Sequence, residues 1–485
     1  MKTTKLFFMA ALALMTAACS NDDNDLTQQP AKAEGIPFTA TISVGESGTT
    51  RALSESGSTL VATWAVDDEV ALIHNGVIDK VTVASVSGGV ATISGTITSD
   101  TDGASVTVIY PYDAADGTTG NVKAGLLTAQ DGTLATIAAK YDVRKGTGTL
   151  KVSGTASLNG NVSLTNQFAI WKLTLANNAK NLCIMADNIT IAGATLGTEG
   201  KEFTVAVPAV SSKTVTIVAN DASNNCYYFS KAGVSLAAGR YYQSSPTMTA
   251  LDGDNSKPLY KITGTSGATI PDGKTVVLSG VNIYGGSITC NGSVTMILLG
   301  SNSVTATDEK AAIEIGGSGT TLTITGSGSL TAHGDWGGAG IGTDYKDYGT
   351  LIGGNIVING GTVTATGDYG GAGIGTGRAE EASITCGDIT INGGTVIATG
   401  SDGGAGIGTG LSIEEGTSNR CGAITIGTGV TSVTATKGNS SPNSIGKGAA
   451  ADDGTQTCGT ITIGGDATTY AAGVTASPFT YPTAP

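Results

Sequence analysis

The chain has 485 residues, of which 73 are Gly and only 13% are charged, and its formal net charge at pH 7 is −14. This acidity excludes nucleic acid as an expected partner, and it disfavours binding by charge to an anionic polysaccharide unless a cation bridges the two. The Gly residues punctuate regular runs of Thr, Val and Ile, which excludes a disordered chain and predicts an all-β protein of short strands and tight turns.

Residues 1–18 are predicted to be an export signal. Lys2 and Lys5 carry positive charge, an apolar run follows at residues 6–14, and small residues lead to Cys19. The apolar run is too short to span a bilayer, so it is not a membrane helix. The mature protein is therefore expected to begin near Cys19 and to lie outside the cytoplasm.

The residues before Cys19 resemble the lipobox of bacterial lipoproteins, with Thr16 in the place where Leu is usual. The resemblance implies that the Cys19 thiol is lipidated, and several acyl chains on one Cys would anchor the protein stably. The alternative is an ordinary signal peptide followed by an incidental Cys. Residues 19–35 form an acidic linker, and its run at 22–25 resembles the signal for export to the outer face of the outer membrane; a solvated linker is the other interpretation.

Residues 36–250 are predicted to form two β-sandwiches, at 36–160 and 161–250. Alternating strands recur there about every 8–12 residues, with Gly, Asn and Asp between them. Trp64 and Trp171 lie in such strands or beside them and are expected to be core anchors.

The same region carries a series of short motifs. In chain order these are Thr50-Arg51, Trp64 with Asp68, Ile109-Tyr110-Pro111-Tyr112, Asn166-Gln167-Phe168-Ala169-Ile170-Trp171 and Ala238-Gly239-Arg240-Tyr241-Tyr242. With them, the region resembles the fimbrillins, the two-domain subunits of lipoprotein-derived pili. The resemblance implies that cleavage after an Arg removes a first strand, whose groove then accepts a strand of another fimbrial subunit. Arg51 is the candidate for this processing, and a loop Arg that is never cut is the alternative.

Residues 251–485 contain an internal repeat. The segment at 356–367 recurs 33 residues later, at 389–400, with the shared pattern Ile-x-Ile-Asn-Gly-Gly-Thr-Val-x-Ala-Thr-Gly. A Gly-Gly-Ala-Gly-Ile-Gly-Thr block occurs at 337–343, 370–376 and 403–409. Each unit thus has short extended pieces, Gly-rich turns and a variable polar loop.

Such short extended pieces bury their apolar side only if successive units stack, Ile on Ile, about 4.8 Å apart. The sequence therefore predicts a parallel β-helix of 33–37-residue coils, with Gly at corners where backbones approach closely. With the runs at 288–292 and 296–302 and the repeated Gly-Ala-Gly-Ile-Gly, residues 255–470 resemble the β-helical carbohydrate-binding domains of bacterial surface proteins.

Aromatic and acidic residues stand directly before the Gly-Gly blocks. Asp335-Trp336 precedes the first block, Asp368-Tyr369 the second and Ser401-Asp402 the third. Coils in register would place Trp336 and Tyr369 on neighbouring rungs beside carboxylates, an arrangement suited to the apolar CH faces and hydroxyls of a sugar. The hypothesis is a glycan-binding site at Asp335, Trp336, Asp368, Tyr369 and Asp402. Corner packing that covers a loop is the alternative.

The cysteines suggest a second stack, since Cys386, Cys421 and Cys458 each precede an Ile-Thr-Ile strand. Reduced thiols in the core are favoured over a disulfide there, while Cys183 and Cys226 could pair in the second sandwich. The pairs Asp452-Asp453 and Glu414-Glu415 could hold calcium, but they lack dense ligand spacing, so no cofactor or metal is predicted.

Catalysis has little support in the sequence. Only His74 and His333 are present, and the repeats have few of the basic residues that lyases of uronate polymers need. Asp335, Asp368 and Asp402 could still form paired acids, as in β-helical hydrolases. The expected function is a non-enzymatic, surface-exposed lipoprotein adhesin, a fimbrial tip or accessory subunit that binds glycans or a host surface. The alternatives are a stand-alone carbohydrate-capture lipoprotein and a polysaccharide hydrolase or lyase.

Overall fold

The structure is a computed structural model, and it describes residues 35–44, 54–56, 59–61, 64–98, 101–117, 119–451, 455–470 and 472–482. Cys19, Arg51, Asp452 and Asp453 lie outside these ranges, so the lipidation and processing predictions stay predictions. Almost all of the regular secondary structure in the described chain is β-strand.

The first domain is a sheet that closes on itself. Its strands and those of a small separate hairpin (β2, β3) are β1 (Ile36–Val44), β2 (Ser54–Ser56), β3 (Thr59–Val61), β4 (Glu69–His74), β5 (Val77–Ser87), β6 (Val90–Ile97), β7 (Ser105–Tyr110), β8 (Arg144–Ser153), β9 (Thr155–Leu158) and β10 (Val162–Asn166). The main sheet has the order β10-β1-β6-β5-β4-β7-β8-β9, and β1 also pairs with β9 and β10 with β8. Short helical turns lie at Tyr112–Ala114, Leu134–Thr136 and Ile137–Tyr141.

Alternating apolar residues of these strands fill the first core. Trp64 is buried and contacts the edge of Tyr110, with 4.8 Å between the ring centroids. Strand β10 belongs to this sheet because it pairs with both β1 and β8. The first domain therefore extends to Asn166, beyond the boundary at residue 160 that the sequence suggests.

The second domain is built on long bent strands. They are β11 (Phe168–Ala186), β12 (Ile189–Pro208), β13 (Val210–Asn220), β14 (Cys226–Leu236), β15 (Tyr241–Ser244) and β16 (Thr249–Leu251). The first half of β11 pairs with β15 and its second half with β13, so the sheet folds over a core that includes Trp171 and Phe203. Cys183 and Cys226 are both buried and free, so the disulfide considered between them is not formed.

The C-terminal region is a parallel β-helix. Its strands are β17 (Leu259–Lys261), β18 (Ala268–Pro271), β19 (Thr275–Ser279), β20 (Asn282–Tyr284), β21 (Ile288–Asn291), β22 (Val294–Leu299), β23 (Ser301–Thr305), β24 (Ile313–Ile315), β25 (Thr321–Gly326), β26 (Ser329–His333), β27 (Ile341–Gly342), β28 (Lys346–Ile352), β29 (Asn355–Thr366), β30 (Ile374–Gly375), β31 (Ala379–Thr385), β32 (Ile389–Thr399), β33 (Ile407–Gly408), β34 (Asn419–Cys421), β35 (Ile424–Ile426), β36 (Val430–Thr436), β37 (Ile445–Gly446), β38 (Gln456–Cys458), β39 (Ile461–Ile463) and β40 (Phe479–Tyr481).

The coils stack in register, which confirms the predicted ladders. Ile356 pairs with Ile389, Ile389 with Ile424 and Ile424 with Ile461, and all four side chains are fully buried. A second ladder has the order β18-β21-β24-β27-β30-β33-β37, and its strands β27, β30 and β33 are the Ile-Gly pairs of the three Gly-Gly-Ala-Gly-Ile-Gly blocks. One continuous apolar core follows the axis of the β-helix.

The polar loops that follow the Gly-rich blocks are also strands. They form a parallel sheet of their own, in the order β28-β31-β34-β38, on the side of the β-helix. The sequence predicts only variable loops here. Beneath this sheet, Leu351, Ala379, Ala382 and Ile384 form a small separate core.

The side sheet also carries the predicted thiol stack. Cys421 pairs in register with Cys458, and the Cys386 backbone N–H donates to the Arg420 carbonyl on the next rung. The three thiols are free, as favoured from the sequence. Burial raises the pKa of Cys386 to about 12, so that thiol is inert at neutral pH.

The last coil is closed by the end of the described chain. Strand β40 pairs antiparallel with β36, and Tyr470, Phe479 and Tyr481 pack against the end of the apolar core. Val474 bridges to Ile445 on another face of the same coil. The end of the β-helix is therefore covered by its own chain.

The second domain and the β-helix share an apolar interface. Met185 and Val218 of the domain pack against Val277, Ile297 and Leu299 on the outside of the β-helix. Buried hydrogen bonds complete the contact. They join Thr190 Oγ1 to Thr325 Oγ1 (2.7 Å), the Gly326 N–H to Thr190 Oγ1 (2.8 Å) and Asn220 Nδ2 to Ser279 Oγ (2.8 Å).

A substitution at Gly375 tests whether the coils stack as closely as the structure shows. Its φ is +138°, and a Cβ placed there would lie 1.7 Å from the carbonyl oxygen of Gly408 on the next rung. Gly375→Ala should therefore separate the coils and lower the free energy of unfolding by at least about 3 kcal/mol, as measured by urea denaturation with circular dichroism. Gly197→Ala is the control, since its Cβ would meet no atom within 4 Å. Equal effects of the two substitutions would contradict the stacked geometry.

Candidate functional site

The loops that precede the Gly-Gly blocks lie one above another on the β-helix. Ile341 pairs with Ile374 and Ile374 with Ile407, so the blocks are in register, and the residues before them are too. Trp336, Tyr369 and Asp402 occupy the same position in three successive coils, and each has a positive φ, of +30°, +40° and +45° respectively. This tight turn directs equivalent side chains to the same side of the β-helix.

Trp336 and Tyr369 form a stacked pair. Their ring centroids are 5.0 Å apart, and the ring planes differ by only 14°. The rings therefore face each other along the axis, as the coil spacing dictates. Both remain open to solvent, with exposed fractions of 44% and 45%. The sequence prediction that the two rings meet on neighbouring rungs is met by the geometry.

Asp402 continues the column of rings, whereas the sequence grouped it with the carboxylates. In its coil the position of Asp335 and Asp368 is held by Ser401. The stack of rings therefore ends after two members, and the exposed Asp402 follows Tyr369 on the next rung.

Asp335 and Asp368 each tie two coils together. Asp335 Oδ2 accepts the Glu309 N–H at 3.3 Å, and Asp368 Oδ2 accepts the Trp336 N–H at the same distance. In each carboxylate the other oxygen, Oδ1, takes no part in these bonds. Both residues are partly exposed, and each directly precedes a ring residue in the chain.

Two residues of the cluster were not predicted from the sequence: Tyr345 and Arg378. Tyr345 contacts Trp336 edge to face, with 5.6 Å between centroids and 75° between planes. The guanidinium carbon of Arg378 lies 4.6 Å from the ring centroid of Tyr369 and 5.8 and 5.9 Å from those of Trp336 and Tyr345. One cation thus faces all three rings.

Arg378 is held inside the cluster. Its side chain is largely buried, its backbone N–H donates to the Gly337 carbonyl (2.7 Å), and a terminal nitrogen donates to Glu380 Oε1 (3.3 Å). Its Nε has no hydrogen-bond partner among the described residues. The ring faces, in place of hydrogen-bond acceptors, therefore provide much of the environment of this charge.

The single proton of the Tyr345 hydroxyl is shared between the carboxylates of Asp347 and Glu380, which both lie within hydrogen-bond distance of the phenol oxygen. Burial, together with these two acidic neighbours, raises the pKa of Tyr345 well above its usual value. The phenol therefore stays protonated and keeps donating throughout the physiological pH range. It links the rings to the acidic residues of the side sheet.

A positional signal in the sequence could have revealed these two residues. Tyr345, Arg378 and Leu411 stand at the same place after the three Gly-Ile-Gly-Thr segments. They form a second column that packs beside the column of rings. The Cβ of a residue at Gly370, for example, would touch both Arg378 and Leu411.

No group of three or more His, Cys, Asp or Glu side chains within the described ranges is arranged to hold a metal ion. Glu414 and Glu415, considered for calcium, are exposed. In the same part of the chain, no helix has the length and apolar character needed to cross a bilayer.

Comparison with known proteins agrees with the fold. The family described as Beta helix repeat matches residues 322–345, 356–378 and 389–411. These are the three coils that carry Trp336, Tyr369 and Asp402. No curated protein matches the sequence.

Two solved structures are similar in part. A fimbrial protein from Bacteroides ovatus is 16% identical, with a TM-score of 0.25, over 44% of this chain and 48% of that protein. A proposed cell adhesion protein from Bacteroides eggerthii is 12% identical, with a TM-score of 0.23, over 45% of this chain and 79% of that protein. This chain thus spans about half the length of the first.

Arg378→Met tests whether the guanidinium holds the rings together. The substitution keeps the apolar stem but removes the cation, so the free energy of unfolding should fall by about 1–2 kcal/mol in urea denaturation. Arg420→Met is the matched control, because Arg420 is exposed on the same side sheet and should change stability by less than about 0.5 kcal/mol. If both variants match the unsubstituted protein, the guanidinium contributes nothing to the cluster.

Proposed function

We propose that this protein is a non-enzymatic, surface-displayed adhesin whose β-helix binds carbohydrate at Trp336 and Tyr369. The observation that carries the proposal is the pair of stacked, half-exposed rings, each directly preceded in the chain by a partly exposed Asp. Exposed aromatic rings next to hydrogen-bonding oxygens provide both the apolar contact and the polar contacts that a sugar ring requires.

The rigidity of the site supports a binding role. Each ring residue lies in a positive-φ turn whose residues form hydrogen bonds to the adjacent coils, and the largely buried Arg378 contacts both rings. A site that is ordered before its ligand arrives loses little conformational entropy on binding. A weakly interacting ligand such as a sugar benefits most from this preorganisation.

The carboxylates are assigned to binding, with no catalytic role. Asp335 and Asp368 both accept backbone N–H groups of the preceding coil, and Asp402 belongs to the column of rings. A glycosidase needs one carboxyl group to act as an acid and another as nucleophile or base, flanking the scissile bond. Glycans bound by this site are therefore expected to be recovered uncleaved.

A glycan array probed with the full chain tests the proposal. Trp336→Ala and Tyr369→Ala should each weaken binding of the recognised glycans by at least about tenfold, because each removes a ring that the sugar contacts. Tyr284→Ala is the control, since Tyr284 is 82% exposed on an earlier coil of the same β-helix and should leave binding unchanged. Binding that survives both ring substitutions would place the ligand elsewhere.

The N-terminal region is proposed to fix the protein to the cell surface. Lipidation of Cys19 would anchor it in the outer membrane, and the acidic linker would separate the folded domains from the lipid. The two sandwiches that resemble fimbrillins would then either join a pilus, as a tip or accessory subunit, or simply carry the β-helix outward.

One feature of the first domain favours the pilus. Strand β1 lies inside the sheet, antiparallel to β6 along residues 36–43 and parallel to β9 and β10 on its other side. Its side chains Phe38 and Ile42 are buried in the domain core. Arg51 follows β1 in the chain, so cleavage there would release the strand that fills this groove, and a strand of another subunit could take its place.

Treatment of the full chain with an Arg-specific protease tests this assembly route. Cleavage should give a new N-terminus at Ala52 and should be absent in Arg51→Lys, which keeps the charge but not the specificity. The cleaved protein should then co-sediment with fimbrial subunits. An intact monomer after prolonged treatment would favour the stand-alone lipoprotein, without bearing on glycan binding.

A further inference from the structure

We propose that the ring pair selects neutral glycans and rejects those that carry sialic acid, uronic acid or sulfate. This inference rests on the proposed function, since it names the class of ligand for the same site. It is carried by the charges around the rings, which are nearly all negative, and by the one nearby guanidinium, which is already engaged.

Five carboxylates belong to the turns that carry the rings or to the residues next to them. Asp335 and Asp368 lie in the same turns as the rings, and Asp402 is on the next rung. Glu380 and Asp347 share the proton of the Tyr345 hydroxyl, and Tyr345 contacts Trp336. A hydroxyl group can donate to any of these oxygens, whereas an anionic group on the ligand can donate to none of them.

The cations of this surface are not placed to receive an anion. Arg378 is largely buried, faces the three rings and donates to Glu380. Lys310 lies one coil earlier, where its Nζ donates to Asp344 Oδ2 at 2.6 Å. Lys346, next to Tyr345, is exposed and is the cation that an acidic ligand would have to use.

The repulsion between an acidic glycan and the carboxylates near the rings should be large enough to measure. Two like charges about 6 Å apart in a water-exposed site repel enough to reduce affinity about threefold, and more where the ligand excludes water. Several carboxylates act on the same ligand here, so an acidic glycan should bind at least about tenfold more weakly than its neutral counterpart. Because the repulsion is electrostatic, added salt should narrow the difference.

The experiment is a titration of the full chain with pairs of oligosaccharides that share one core. The pairs are a neutral glycan with its sialylated and sulfated forms, and N-acetylated chitooligosaccharide with its free-amine form. Trp336→Ala is included to show that the binding measured is binding at the rings. The neutral member should bind at least about tenfold more tightly than the acidic member at low salt.

Carboxylate-to-amide variants locate the selectivity. Asp335→Asn and Asp368→Asn keep an oxygen that can accept the Glu309 and Trp336 N–H groups, but they remove the charge. Together they should tighten binding of each acidic glycan at least about threefold relative to the neutral member of the same pair. Glu202→Gln is the control, because it removes the same charge from an exposed site in the second domain.

The outcomes separate the two proposals. Acidic glycans that bind as tightly as neutral ones, above all through Lys346, would overturn the selectivity but leave carbohydrate binding in place. A free-amine chain that binds more weakly than the N-acetylated chain would count against it as well, since the same carboxylates should attract an ammonium group. Failure to bind any glycan at the rings would overturn the proposed function, and the selectivity with it.

Discussion

The close approach of backbone to backbone between coils is the constraint on which the C-terminal region depends. Gly342, Gly375 and Gly408 stand directly above one another with φ between +136° and +148°, and no side chain fits between them. This contact sets the coil register, the register aligns the Ile ladders, and the same register brings Trp336 onto Tyr369. The apolar core and the stacked ring pair are therefore two results of one repeated backbone geometry.

The sequence predicts the parts of the structure that follow from repetition. Ile356 and Ile389 could be placed on neighbouring rungs because identical segments must stack to bury their apolar sides. The meeting of the two rings follows from the same register. The side sheet could not be predicted in this way, because β28 is polar and mostly exposed and shows no alternation of buried and exposed residues. Its strands form because they extend ladders that the core has already aligned.

Only part of the candidate site could be predicted from the sequence, because some of its contacts do not follow from residue type or from the repeat. Asp402 was grouped with Asp335 and Asp368 by residue type, whereas its position relative to the Gly-Gly block places it in the column of rings. Tyr345 and Arg378 lie in a second column, which approaches the first only because of the path of the coil between them. Contacts across columns depend on that three-dimensional path. The contact of the second domain with the β-helix, at Val218 and Ile297, likewise joins segments with no shared pattern.

The covered end of the β-helix has a consequence for crowded cell surfaces. A parallel β-helix that stopped abruptly would present unpaired strand edges, which are templates for association with another copy. Here β40 pairs with β36 in the opposite direction, and Val474 bridges to Ile445, so the chain terminates its own ladder. At these two ladders a neighbouring molecule would meet an antiparallel strand and aromatic side chains in place of an open parallel edge. Fibrous self-aggregation through them would therefore be suppressed.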